Sequence, residues 1–89
     1  MGKKPVNRRR SPRPQHHPDY IRLRVLLREW RERADLTQRE LARQLQRPQS
    51  YVAKVERGSR RIDPVEWIAI LSILGVSVED AAQAIRRAG

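Results

Sequence analysis

Leu36-Thr37-Gln38-Arg39-Glu40-Leu41-Ala42-Arg43-Gln44-Leu45, followed after Gln46 by Arg47-Pro48-Gln49-Ser50-Tyr51-Val52-Ala53-Lys54-Val55-Glu56-Arg57-Gly58, is the stretch whose reading decides the fold. It reads as two short helices joined by a tight turn. Thr37 stands as N-cap and Glu40 three residues on, the pattern in which each side chain satisfies the other's unpaired backbone N–H, while Leu36 and Leu41 occupy hydrophobic-staple positions. Leu41, Ala42 and Leu45 share one face at helical spacing, and Val52 and Val55 do the same in the second helix. Each helix therefore has a narrow apolar edge and a wide polar one, and neither is stable without a partner. Pro48 is expected in the first turn of the second helix, where its fixed φ is already helical, and Gly58 as a left-handed residue closing it.

Upstream, Asp19 is expected to cap a helix running to about Ala34. Leu23, Leu26, Leu27, Trp30 and Ala34 recur along it with helical period, and Trp30 is assigned to the core. Arg28 with Glu32 and Glu29 with Arg33 are spaced for i,i+4 ion pairs. Downstream, Asp63-Pro64-Val65-Glu66 is a complete helix start: cap, proline at the first helical position, acid at the third. The helix it opens carries Val65, Trp67, Ile68, Ile70, Leu71, Ile73 and Leu74 and ends at Gly75. It is apolar over most of its circumference, so it must be buried on nearly all sides or share a face with a second copy of the chain. Ser77 with Asp80 repeats the capping pattern and starts a last helix through Ala81, Ala82, Ala84 and Ile85 to Arg87. An all-α fold of five helices in a compact domain over residues 19–89 follows.

Residues 1–18 differ from that domain. They hold six basic side chains, four prolines and no acid, too little apolar surface to order themselves, and are expected to form a disordered basic arm. The arm accounts for +6 of the net +10, leaving +4 on residues 19–89. An imbalance of this size in 89 residues is the electrostatic footprint of a polyanion-binding protein, and the arm is expected either to lie along phosphates or to remain a solvated tail. The absence of cysteine removes disulfides and thiolate metal sites, and two adjacent histidines, His16 and His17, do not make a zinc site. No cofactor is expected. No apolar run approaches the length of a membrane span, so a soluble, cytoplasmic, nucleoid-associated protein is expected. No Ser-His-Asp or Cys-His set and no phosphate-cradling glycine loop is present, which argues against an enzyme.

The two-helix stretch resembles the helix-turn-helix of the lambdoid repressor/Cro family of transcription regulators. The likeness covers most of residues 21–80. Thr37, Gln38, Glu40, Leu41, Ala42, Leu45, Gln49, Ser50, Val52, Val55, Glu56 and Gly58 fall where that family repeats its residue types. Asp35 and Gln46 depart from it, standing where glycine is usual at the end of the preceding helix and in the inter-helix turn.

The resemblance implies that the second helix lies in the DNA major groove while the first crosses the backbone. With Val52, Val55 and Glu56 turned inward, Gln49, Ser50, Ala53 and Lys54 are then the base-contacting residues. Gln suits adenine N6 and N7, Ser suits either base type, and Ala suits a thymine methyl. Gln38 resembles the family's phosphate-binding Gln, and Arg39, Arg47, Tyr51 and Arg57 are assigned to phosphates with it. Ser59, Arg60 and Arg61, in the loop after Gly58, are placed to grip the same backbone. Tyr51 has packing beside Trp30 as its alternative role. The resemblance further implies an ion pair between Arg31 and Glu56 that fixes the recognition helix.

The expected function is thus a sequence-specific regulator of transcription, most simply a repressor, binding a pseudo-palindromic double-stranded operator as a homodimer. The dimer is expected to form through residues 75–89 with Ile73, Val76, Val78 and Ile85. Two alternatives stand beside it. One is the antitoxin of a toxin–antitoxin pair, with a toxin as protein partner, repressing its own operon. The other is a non-specific nucleic-acid-binding protein that works through the basic arm.

Overall fold

The computed structural model describes residues 17–87. Five helices follow one another: α1 (Pro18–Arg33), α2 (Gln38–Leu45), α3 (Gln49–Arg57), α4 (Pro64–Leu74) and α5 (Val78–Arg87), with no strand among the described residues. The basic arm lies outside this range apart from its last two residues. His17 Nδ1 accepts from the Asp19 N–H at 3.0 Å, and Pro18 takes the first helical position. The cap of α1 is therefore His17 and not Asp19, which instead adds negative charge to the first turn. Proline at that position loses no hydrogen bond, because the N–H it lacks has no intrahelical partner there.

The remaining starts follow local chemistry. Thr37 Oγ1 accepts from the Glu40 N–H at 3.0 Å while Glu40 Oε1 accepts from the Thr37 N–H at 2.8 Å. Asp63 and Glu66 make the same reciprocal pair at 2.8 and 3.2 Å, and Ser77 Oγ accepts from the Asp80 N–H at 3.0 Å. Pro48 is the N-cap of α3, outside its first turn, and having no side-chain acceptor it leaves that helix without a side-chain cap.

Helix ends are set by left-handed residues. Gly58 and Gly75 take φ of 92° and 74°, where a side chain would be strained. Asp35 and Gln46 take φ of 63° and 59° as well, so the glycine-like turns are kept by residues that adopt them at a cost. A Cβ at Gly58 would also meet the end of the Arg24 side chain, which would have to move aside.

One apolar core unites the helices. Leu27, Trp30, Leu41, Ala42, Tyr51, Val52, Val55, Ile70, Leu71, Leu74 and Ala81 are buried in it. Trp30 stacks obliquely on Trp67, with ring centroids 6.4 Å apart. The helical period picked the inward face of α2 and α3 correctly, and α1 buries Leu27 and Trp30 while Ala34 is exposed. α4 is not enclosed on nearly all sides: it buries Ile70, Leu71 and Leu74 but leaves Val65 76% and Ile68 55% exposed. Ile73 and Val76, assigned above to a dimer contact, pack inward against the core, and Ile85 is half-buried. Of those four residues only Val78 is exposed.

Two polar links tie distant elements. The Tyr20 hydroxyl accepts from the Ile62 N–H at 2.8 Å, pinning the loop after α3 to α1. Arg22 donates to the Ile85 carbonyl at 2.9 Å, a cation placed at the negative end of the α5 dipole. Of the two expected surface pairs on α1, Arg28 and Glu32 meet at 3.2 Å, whereas Glu29 and Arg33 make no ion pair.

Candidate nucleic-acid interface

The orientation of α3 is fixed by a buried charge pair. Arg31 Nε and Nη2 donate to the two carboxylate oxygens of Glu56 at 2.6 and 3.1 Å, and both side chains are more than nine-tenths buried. The remaining polar atoms are satisfied around them. Arg31 Nη1 donates to the Leu36 carbonyl at 2.7 Å, and Gln38 Nε2 donates to Glu56 Oε1 at 2.9 Å. A pair in this environment costs much desolvation and is tolerated only when so fully hydrogen-bonded. It joins the end of α1, the start of α2 and the last turn of α3, so the pitch of α3 against the other two is determined.

With Glu56, Val52, Val55 and Tyr51 turned inward, the other side of α3 is open. Gln49, Ser50, Lys54 and Arg57 are exposed and Ala53 is half-exposed between them. Arg39, Arg47, Ser59, Arg60 and Arg61 are also exposed, from the start of α2 and from the segments flanking α3. Residues 39–61 hold seven basic side chains against two acidic ones, a net of +5, while the rest of residues 17–87 nets −1. The charge of the described chain is thus gathered on this one segment. Of its two acids, Glu56 is buried in the pair with Arg31 and Glu40 is held in the α2 cap. Hydrogen bonds from the Thr37 backbone and side chain hold the Glu40 carboxyl below the usual carboxylate range.

Two of the expected phosphate residues are placed differently from the sequence reading. Tyr51 is buried in the same core cluster as Trp30, its hydroxyl out of reach of solvent, and so it does not offer that hydroxyl to a phosphate. Its ring instead supports two cations, the Arg47 and Arg60 guanidinium carbons each 4.8 Å from its centroid. Burial and the neighbouring Glu66 carboxylate push the Tyr51 hydroxyl up to about 12. Gln38 has its side-chain amide committed to Glu56, which leaves its backbone N–H, at the first position of α2 where no partner exists within the helix, as the donor it has to offer.

Glu66 was visible in the sequence only as a capping acid. Its Oε2 accepts from Arg47 at 2.6 Å and from Arg60 at 3.2 Å, while Oε1 serves the Asp63 cap. Burial opposes its charge, but the bond from the Asp63 N–H, the neighbouring Tyr51 hydroxyl and the Arg47 cation outweigh burial and hold its carboxyl below the usual range. No spacing rule links residues 47, 51, 60 and 66, so no sequence signal marks the cluster. The described residues contain no group of three or more His, Cys, Asp or Glu side chains placed to hold a metal, and no helix among them is long and apolar enough to cross a membrane.

An open basic helix, held by a buried ion pair and preceded by a crossing helix, is the working part of a helix-turn-helix DNA-binding protein. The family model described as a helix-turn-helix domain matches residues 22–84. A solved structure with a TM-score of 0.76 is an XRE-family like protein from Pseudomonas syringae pv. tomato str. DC3000, 36% identical over 82% of this chain and 89% of its own. None of the curated proteins matches the chain. The chain belongs to the XRE-type helix-turn-helix family and is a DNA-binding regulator of that kind.

Proposed function

We propose that the chain reads a specific double-stranded DNA sequence with α3 in the major groove and represses transcription by occluding a promoter. The observation that carries this reading is the two-sidedness of α3: one side is buried and ion-paired, the other presents Gln49, Ser50, Ala53 and Lys54 from a fixed position. These four are assigned to base edges. Arg39, Arg47, Arg57, Ser59, Arg60, Arg61 and the backbone N–H of Gln38 are assigned to phosphates on either side. The reading is supported by the net +5 concentrated on residues 39–61.

One such helix reads few base pairs, so two copies on a pseudo-palindromic operator are part of the proposal. Val65 and Ile68 on α4 and Val78 on α5 are exposed apolar side chains available to a partner copy, as are Ile21 and Val25 on α1. Sedimentation of the free protein and of its complex with a palindromic duplex checks this; one copy per duplex under both conditions refutes the dimer.

Selection of bound duplexes from a random pool at near-physiological salt tests the reading as a whole. A palindromic motif is expected, and Gln49→Ala is expected to lose the preference at one base position in each half. Each lost bidentate contact lowers discrimination by about 1–3 kcal/mol. Binding with no enriched motif would refute sequence reading and leave a non-specific nucleic-acid-binding protein.

A further inference from the structure

Arg47 and Arg60 come from opposite ends of α3. Arg47 lies in the turn before the helix and Arg60 in the loop after it, yet their guanidinium groups meet over one ring, Tyr51, and on one oxygen, Glu66 Oε2. Two cations brought this close repel each other unless something anionic lies between them. Glu66, in the first turn of α4 and with its side chain 11% exposed, supplies that charge. The two arginines remain 42% exposed. Each spends one nitrogen on Glu66, and a guanidinium has five N–H groups in a planar fork, so donors are left over on both.

We propose that Arg47, Arg60, Tyr51 and Glu66 form a clamp assembled before DNA arrives, that it takes one backbone phosphate between the two arginines, and that Glu66 is the positioning residue that holds it together. The inference rests on the DNA-binding reading above and adds to it a part for a carboxylate. Arginine side chains carry large rotamer freedom that binding must otherwise freeze. Stacking on an aromatic face and a shared carboxylate remove most of that freedom in the free protein. The cluster also joins the turn, α3, the following loop and α4, so a phosphate held there would fix the register of both flanks of the recognition helix.

A sign distinguishes this from a simple electrostatic surface. Removing a negative charge beside a polyanion should tighten DNA binding and steepen its salt dependence. The clamp requires the reverse. Glu66→Gln is the clean variant, because an amide oxygen still serves the Asp63 cap, as Gln does in capping boxes generally, whereas the two arginine bonds are weakened.

The experiment compares wild type, Glu66→Gln and Arg60→Lys on the duplex recovered from the random pool, across a range of salt, at a temperature where thermal melts show all three folded. Glu66→Gln is expected to bind about tenfold more weakly, the cost of ordering two free arginines on binding. Arg60→Lys, which keeps the charge but loses the planar stack, is expected to weaken binding as well. The Arg47 and Arg60 Nη resonances of the free protein, whose Nη2 groups donate to Glu66, are expected to be resolved in wild type and averaged in Glu66→Gln.

Arg47→Ala and Arg60→Ala singly should each leave the phosphate held by the other arginine, and the double variant should lower the salt slope by about 1. Equal or tighter binding by Glu66→Gln, unchanged binding by Arg60→Lys, or a slope loss of about 2 in the double variant would each overturn the clamp while leaving the DNA-binding reading intact. Failure of the wild type to bind any duplex would overturn both.

Discussion

Removing Arg31 should unfold this domain more readily than removing any exposed arginine. Glu56 sits at 6% side-chain exposure and receives two bonds from Arg31 and one from Gln38. In Arg31→Met the carboxylate keeps only the Gln38 amide, and a buried charge stripped of its partner costs about 3–5 kcal/mol. Glu56→Ala leaves the converse problem: Arg31 Nη1 keeps the Leu36 carbonyl while Nε and Nη2 lose their acceptors. A domain of this size has a total stability on the order of 4–10 kcal/mol at typical per-residue values, so either loss is a large share of it. Each kcal/mol shifts the melting temperature of a 60–100-residue domain by about 4–8 °C, which places both variants at least about 12 °C below wild type.

The double variant Arg31→Met with Glu56→Leu should recover most of that loss, because an apolar pair of similar volume avoids the desolvation cost altogether. Urea and thermal denaturation followed by circular dichroism measure the wild type, both single variants and the double variant. Single variants within about 0.5 kcal/mol of wild type would refute the reasoning, since they would mean that the pair is not desolvated in solution.

The other predictions concern the turns and the titrating groups. Gln46→Gly should stabilise the domain by about 1 kcal/mol by relieving a left-handed side-chain-bearing residue, and Gly58→Ala should destabilise it by at least as much, its φ of 92° being unsuited to a side chain and its Cβ site taken by Arg24; the opposite sign in either urea titration would contradict the turn geometry. Because the Glu66 carboxyl is depressed in the folded protein, its contribution is full above the ordinary carboxylate value of about 4.3 and is lost as pH falls through the lower folded value. Acid titration of stability should therefore be flatter in Glu66→Gln than in wild type. Tyr51 works in the other direction: its hydroxyl is raised, so its contribution holds below the ordinary tyrosine value of about 10 and is lost as pH rises through about 12. Tyrosinate absorbance in Tyr51→Phe should lack the component that appears last in the wild-type alkaline titration.

Features that depend on neighbours a few residues apart were legible before folding. The Thr37–Glu40 and Asp63–Glu66 boxes, the Ser77 cap, the left-handed glycines at 58 and 75 and the inward face of α3 are all set by backbone groups within one or two turns. Two helix starts were misassigned, and both involve proline: Pro18 draws the start of α1 back so that His17 caps it, and Pro48 stands outside α3. Proline is compatible with either side of a helix start, so the pattern does not choose between them.

Other features depended on contacts between residues far apart in the chain. Period alone made α4 apolar on most sides, but only the packing of the core decided that Ile70, Leu71 and Leu74 are buried and that Val65 and Ile68 are left out. The same holds for Tyr51, whose ring and hydroxyl point different uses at a groove-facing helix until the core claims them. Glu66 meets Arg47 across nineteen residues and Arg60 across six, and Gln38 meets Glu56 across eighteen. Capping is a local hydrogen bond and is written in the sequence; a carboxylate's second oxygen takes whatever donor the folded chain brings to it, and that is decided only when the helices pack.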